Sequence, residues 1–495
     1  MSPDQNPKTR AAAWIDRLAT DAELGRNTLS DSQRRVSYAE VPALLDRLDE
    51  FWTRHAVEPS AVVALECSQS VAGALVVLLA LHRGHDVVLL PEPSEKVPRT
   101  VPNFCTHVIT ATEEASEPDA DFPEGSGFPE RYVQIVANDD YAESPVVAAF
   151  EGPDIYLRTS GSTGASKLAR MSHEKWLQNA AAAGERWGIA AGDRVAIPVP
   201  IFHAYGLGAA FLPGFLAGAS MDLIADFNIL RYLEREKGFN PNVAFLTPAL
   251  CDMFVKVRKS ERLYRLSVTA GDKVRKETVA AFEPRFGPLL NLYGSGEMGA
   301  VSSSSPDDPA ERRLGTAGYP MPGVELYLED GGEDGGKLLC RRADSFAGYL
   351  IQDGESWRFA AHDGAYETGD LARIRGDGYV EILGRFATSV NRDGRRVVVA
   401  EVEAAVEGVE GCARAVVVGE GESRRGTRLL AFCVLEKGAT TSAEALRKAC
   451  FDRLPLYAVP DEVVLIDTVP LLPSGKVDRR ALQEQARRRT VEEGS

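Results

Sequence analysis

The chain has seven cysteines but no pairing pattern among them. Cys67, Cys105, Cys251, Cys340, Cys412, Cys433 and Cys450 form no C-x-x-C pair and no metal-ligand spacing. They read as scattered small hydrophobes in a reducing compartment, which excludes a cysteine metal site and a disulfide framework. Positive charge is also in deficit: 56 Lys and Arg face 72 Asp and Glu, a net charge of -16. That balance excludes an electrostatic grip on nucleic acid or an anionic membrane. The one basic run, Arg487-Arg488-Arg489, reads as a solvated helix end. Long apolar stretches are missing as well. The longest, Val71 to Leu81, falls short of the roughly 20 residues of a bilayer span and predicts a buried helix. Met1 to Arg10 holds no apolar h-region, so no secretory signal and a cytoplasmic location are expected. No internal repeat stands out.

What is present is a globular chain of 495 residues, 44% hydrophobic, long enough for more than one core. Short β-rich runs alternate with helical stretches: Ala61 to Leu65, Val87 to Leu90, Arg194 to Ile197 and Val243 to Leu246. This alternation predicts α/β layers with parallel strands. After Gly384-Arg385, Val397 to Val399, Ala415 to Val418 and Leu429 to Val434 alternate with helices, predicting a small α+β unit. Glu113 to Glu130, rich in Pro, Gly and acids, predicts a surface loop.

Three polar segments interrupt this pattern. The first runs Thr159-Ser160-Gly161-Ser162-Thr163-Gly164-Ala165-Ser166-Lys167, between the apolar Asp154 to Leu157 and a helical pattern over Glu174 to Ala183. Glycines let backbone N–H groups converge and hydroxyls add donors, which suits a polyphosphate. It is not a P-loop, which needs Gly-Lys-Ser/Thr where this chain has Ser166-Lys167-Leu168. The second follows a predicted buried strand, Pro288 to Tyr293, and reads Gly294-Ser295-Gly296-Glu297-Met298-Gly299. It matches G-x-G-x-x-G, but the dinucleotide fingerprint requires a helix to open there. Ala300-Val301 and Ser302 to Asp308 have loop composition instead. The third, Pro473-Ser474-Gly475-Lys476, is turn chemistry before a helical pattern from Val477. Lys476 is a compact ammonium on a flexible stem, suited to phosphate.

These segments, in this order, resemble the adenylate-forming superfamily of acyl- and aryl-CoA synthetases, peptide-synthetase adenylation domains and luciferases. Thr159 to Lys167 resembles its phosphate loop, Tyr293 to Glu297 its Tyr-Gly-x-Thr-Glu segment, and Lys476 its C-terminal catalytic lysine. Pro200-Ile201-Phe202-His203-Ala204-Tyr205-Gly206-Leu207 is similar to the aromatic/His segment of CoA ligases. Gly315 to Gly323 resembles the family's Gly/Pro turn, and Tyr366 to Asp370 and Gly378 to Arg385 its ribose-binding and hinge segments. The likeness runs from about Ser37-Tyr38 to Leu482. It implies an α/β fold: a large multi-layer N-terminal domain with parallel-rich sheets over residues 1–384, and a small mobile α+β C-terminal lid over 385–495. The active site would lie between them.

The resemblance also implies chemistry. A carboxylic acid attacks the α-phosphate of ATP, giving an acyl-adenylate and pyrophosphate, and the acyl group then passes to a thiol. Charge builds on phosphoryl oxygens, so cations and oriented donors are needed. Thr159, Ser160, Gly161, Ser162, Thr163, Gly164 and Lys167 would hold the β- and γ-phosphates. Glu297 would help bind Mg²⁺, and Lys476 would neutralise the α-phosphate. Asp370 would accept from the ribose hydroxyls and Tyr293 would lie against the adenine, with Asn291, Gly294, Ser295 and Arg385 completing the nucleotide site. His203 would stand at the acyl pocket, between carboxylate and incoming thiol, with neighbours from Phe245 to Thr247 and Ala270 to Asp272.

Several positions depart from the family pattern. Ser166-Lys167-Leu168 replaces the usual Pro-Lys-Gly, and Gly296 stands in place of the phosphate-binding threonine, unless Ser295 substitutes. Ala387 stands at the usual acidic or lysine hinge, Asn391 at a usual lysine and Val399 at a common proline, while Gly394 is retained. The adenylation half is therefore better supported than thiol transfer. The leading expectation is an acid–CoA ligase acting on a small-molecule carboxylic acid. A carrier-protein phosphopantetheine, met in trans because no carrier domain follows Leu482, is second, although two acidic partners would repel. A non-thiol acceptor is third, and a non-catalytic adenylate-binding protein is the reading from another class.

Overall fold

The computed structural model describes residues 15, 17, 20–93, 99–112, 128–159, 167–225, 228–332, 335–393, 395–423, 426–470 and 477–493. The chain forms two compact units. One comprises Met1–Leu326, Cys340–Tyr366 and Gly376–Val380; the other comprises Tyr327–Leu339, Glu367–Arg375 and Glu381–Ser495.

The first unit is built on two large sheets. An eight-stranded sheet runs Ser356–Ala361, Gly348–Asp353, Lys167–Ser172, Asp154–Thr159, Asp86–Pro91, Val62–Cys67, His107–Ala111 and Val133–Ala137. Its centre is parallel, from Asp154–Thr159 through Asp86–Pro91 and Val62–Cys67 to His107–Ala111. A nine-stranded sheet is parallel through Ser220–Leu223, Arg194–Ile197, Val243–Leu246, Leu266–Thr269 and Leu289–Ser295. Strands buried on both faces need continuous apolar runs, and Val243 to Leu246 are all fully buried.

Side chains from both sheets share one core with the helices Val71–Arg83 and His173–Trp187. Val71–Arg83 is apolar on every side and buried from Val71 to Leu81, as a helix enclosed by other layers must be. Its ends are sealed: the Ser70 hydroxyl accepts from the Gly73 N–H, and Gly84 takes the left-handed conformation beyond the last turn.

Two readings of the sequence change here. The serine-rich stretch after Gly299 is a strand, Gly299–Ser303, antiparallel to Leu289–Ser295, rather than a loop. Its serines are buried, and the Trp187 indole N–H donates to the Ser303 hydroxyl, which donates to the Asn291 carbonyl. The segment Lys167–Ser172 is a strand where the sequence had suggested only the approach to a helix.

In the second unit a five-stranded sheet carries helices on both faces. Ala415, Val417, Leu429, Ala431 and Cys433 pack on one side with Val399–Glu407 and Ala443–Cys450. Val416, Val418, Leu430 and Phe432 pack on the other against Leu482 and Ala486 of the helix Arg479–Glu493. The period of two in these strands assigns alternate residues to opposite faces. Val399 opens a helix instead of ending a strand, which stops at Val397. Arg487 and Arg489 pair with Glu420 and Glu462. All seven cysteines are buried and free, and Cys412, Cys433 and Cys450 share this unit's core. Among the described residues no helix is long and apolar enough to cross a membrane.

His173, the first residue of its helix, is buried with neither ring nitrogen hydrogen-bonded among the described atoms. Burial, and secondarily the neighbouring His85, depress its pKa from 6.5 to about 3. The unfolded chain therefore takes up a proton near pH 6.5 that the folded chain refuses, and this group removes stability as pH falls from there towards 3. Asp86, raised by burial to about 6, acts in the opposite direction. We expect the urea midpoint of a His173→Gln variant to fall less than that of the parent between pH 7.5 and 5.5. Equal slopes would show that His173 is not the titrating group.

Candidate active site

The antiparallel return of Asp154–Thr159 into Lys167–Ser172 sets Thr159 directly opposite Lys167. The next strand, Gly348–Asp353, pairs Ile351 with Lys167 and Tyr349 with Ala169. Lys167 and Tyr349 are thus diagonal neighbours on one face of the sheet, within reach of long side chains. The Lys167 ammonium lies 5.7 Å from the centre of the Tyr349 ring, inside the range of a cation–π contact. Ser160, Gly161, Ser162, Thr163 and Gly164 lie outside the described residues.

Onto this face comes the turn between Leu289–Ser295 and Gly299–Ser303. Gly294 is required there, since a Cβ would lie 2.3 Å from the Gly299 carbonyl oxygen. Asn291 donates its side-chain amide to the Thr316 carbonyl at 3.0 Å. Tyr293 is half-buried against the core. Ser295 turns its hydroxyl back to accept from the Met298 N–H at 3.2 Å. Among the described residues, a Cβ on Gly296 would meet only the Thr159 methyl, at 3.7 Å, so this turn and the base of the phosphate segment touch. Glu297 is 7% exposed. Its Oε1 accepts from the Tyr349 hydroxyl at 2.9 Å, and its carbonyl accepts from the Phe346 N–H at 2.9 Å.

His203 is exposed in the connection after Arg194–Ile197, beside the Phe202 ring. Its carbonyl accepts from the Leu207 N–H as a π-helix, Tyr205–Phe211, begins. Gly206 has no alternative, because a Cβ would sit 1.9 Å from the Pro200 carbonyl oxygen. The Tyr205 hydroxyl reaches the Leu246 and Val268 carbonyls at 3.0 and 2.9 Å. It thereby ties this segment to the carboxyl ends of two parallel strands, where open α/β sheets place their ligands. Gln69, which no sequence motif flagged, pins the approach. Its amide donates to the Ile197 and Val199 carbonyls and its oxygen accepts from the Ile201 N–H.

In the second unit, Asp370 is 6% exposed and pairs with the Arg385 guanidinium at 3.0 Å. Arg385 also donates to the Thr368 carbonyl at 3.3 Å. Gly369, left-handed at φ 74°, turns the chain between them. Lys476 lies outside the described residues; of its flanks, the Asp478 N–H donates to the Pro470 carbonyl at 2.9 Å.

Glu297 suits a cation. It is a buried carboxylate whose partner is one neutral hydroxyl, and among the described residues no Lys, Arg or His pairs with it. A buried carboxylate so placed calls for positive charge. Among the described residues no group of three His, Cys, Asp or Glu could cage a metal, so the ion would take its remaining ligands from phosphates and water, the habit of Mg²⁺.

Comparison with known proteins fixes the class. The ATP-bound MatB of Rhodopseudomonas palustris superposes with a TM-score of 0.76 at 21% identity, covering 96% of this chain and 98% of that one, which establishes a shared fold. The model of the AMP-binding enzyme family matches residues 155–350, and that of its C-terminal domain matches 401–476. The chain belongs to this family, within the adenylate-forming superfamily. The 3-[(3aS,4S,7aS)-7a-methyl-1,5-dioxo-octahydro-1H-inden-4-yl]propanoyl:CoA ligase of Rhodococcus jostii is 28% identical over 376 residues, 74% of this chain and 72% of that protein. The indoleacetate–CoA ligase of Aromatoleum aromaticum is 25% identical over 512 residues, 97% and 99% of the two.

Asp370→Asn removes the charge that Arg385 answers and one strong acceptor. Its expected effect is a rise in KM for ATP of about tenfold or more. An unchanged KM for ATP would show that Asp370 does not bind the nucleotide.

Proposed function

We propose that this protein is an AMP-forming acid–CoA ligase. A carboxylate oxygen bonds to the α-phosphorus of ATP and pyrophosphate leaves; the sulfur of CoA then bonds to the acyl carbon and AMP leaves. The observation that carries the reading is the meeting of Thr159, Lys167 and Glu297 on one face of the sheet. A hydroxyl, a cation and a buried carboxylate there suit the pyrophosphate end of the nucleotide. Family membership and the two CoA ligases described above support the same chemistry.

In this reading Lys167 meets the leaving phosphates as a point charge, and Thr159 adds a hydroxyl donor. Glu297 holds Mg²⁺, which when bound neutralises phosphate charge. Asp370 accepts from the ribose hydroxyls, kept in place by Arg385, and Tyr293, Asn291, Gly294 and Ser295 border the nucleotide. Lys476 stabilises the charge that develops on the α-phosphate. His203, exposed beside the ends of the parallel strands, stands where the acyl group meets the thiol.

Carboxylate-dependent ATP–pyrophosphate exchange, screened over aryl, short-chain and long-chain acids, tests this. Exchange with at least one acid class is expected, and Lys476→Ala should lower it by about 100-fold or more. Mass spectrometry with CoA present should then show the thioester. No exchange with any acid would overturn the ligase reading, and adenylate without thioester would overturn CoA as acceptor.

A further inference from the structure

Glu297 and Lys167 come from segments 130 positions apart, counted from their numbers in the chain, yet one side chain touches both. Tyr349 donates its hydroxyl to Glu297 Oε1 at 2.9 Å and presents its ring to the Lys167 ammonium at 5.7 Å. It is itself held from three directions. Strand pairing fixes its backbone against Ala169 and Ala360. The Phe346 ring packs edge-on against it at 4.9 Å, and the Phe346 N–H is bonded to the Glu297 carbonyl. Tyr366, a second hydrogen-bonding hydroxyl, stands beside it and packs on Phe346 in turn.

We propose that Tyr349 is a positioning residue bracing two charges of the phosphate site at once, the Glu297 carboxylate by its hydroxyl and the Lys167 ammonium by its ring. The inference rests on the reading above, in which Glu297 faces Mg²⁺ and Lys167 faces polyphosphate. Opposite charges in one site would otherwise close on each other and neutralise the groups that must meet a metal and a phosphate. A neutral tyrosine satisfies each without charge and holds them apart. Partners of this kind, one step behind a metal ligand, fix its orientation.

The two contacts are separable by substitution. Tyr349→Phe keeps the ring and loses the hydroxyl; Tyr349→Leu loses both. Mn²⁺ binding to the full chain with a non-hydrolysable ATP analogue, read from the EPR signal of free Mn²⁺, reports on Glu297. Calorimetric titration with metal-free inorganic tripolyphosphate reports on Lys167. Tyr349→Phe should weaken Mn²⁺ binding by about tenfold or more while leaving tripolyphosphate binding unchanged. Tyr349→Leu should weaken both, the second by roughly threefold, as expected for loss of an exposed cation–π contact. Melting temperatures of the unliganded variants, expected near the parent's for Tyr349→Phe, separate this from general damage. If Tyr349→Phe binds Mn²⁺ like the parent while Glu297→Gln does not, the brace is refuted and the metal role of Glu297 stands. If Glu297→Gln also binds like the parent, the metal reading falls and the brace with it.

Discussion

The register of three antiparallel strands is the constraint on which the site depends. Once Thr159 is paired with Lys167 and Ile351 with Lys167, the period of two leaves no choice of face for Thr159, Lys167 or Tyr349. A slip of one residue in any of the three would turn that strand's contribution to the opposite side of the sheet. The apolar residues that share this face, Leu157, Ala169 and Met171, belong to the main core. Burial therefore enforces the register, and the register aims the polar groups. Chemistry at the rim is held in place by hydrophobicity a few residues further along each strand.

Two buried carboxylates are stabilised by opposite means. Asp370 is answered by a full charge, the Arg385 guanidinium. Glu297's carboxylate is answered by one hydroxyl, its carbonyl is tied to the Phe346 N–H, and no cation of the described residues reaches it. An ion pair is satisfied within the protein, which agrees with the proposal that Asp370 accepts only from neutral donors such as ribose hydroxyls. A carboxylate with one neutral donor keeps its charge unanswered and so attracts a cation from outside. The contrast is the physical ground for proposing different roles for them.

Much of this was legible in the sequence, for identifiable reasons. Arg194 to Ile197 and Val243 to Leu246 are strands over those very residues, because a fully buried parallel strand is a short apolar run with turn signals on either side. Val71 to Leu81 was apolar all round and proved enclosed. Gly294 and Asp370 were singled out through local spacing, and the structure gives Gly294 a turn no Cβ would fit and buries Asp370 against Arg385. The strand Gly299–Ser303 was missed because Ser302 and Ser303 are buried through partners such as Trp187, which lies far away in the chain. Tyr349 was missed because Gly348-Tyr349-Leu350-Ile351 reads as an ordinary strand; its meaning depends on Glu297 and Lys167. Gln69 looked like a polar loop residue and serves as a three-point clamp.

The π-helix over Tyr205–Phe211 leads directly into the α-helix Leu212–Leu216. A π-helix widens the turn by one residue relative to an α-helix, and each residue of ordinary helix turns the chain by about 100°. The direction in which His203 leaves the helix is thus set in part by a residue count within this segment. Gly206 and Tyr205 are fixed by close approach and by hydrogen bonds, and a gain or loss of a single residue would re-aim His203 as well. Chain length, as much as its fixed glycine and tyrosine, is what this part of the molecule has to preserve.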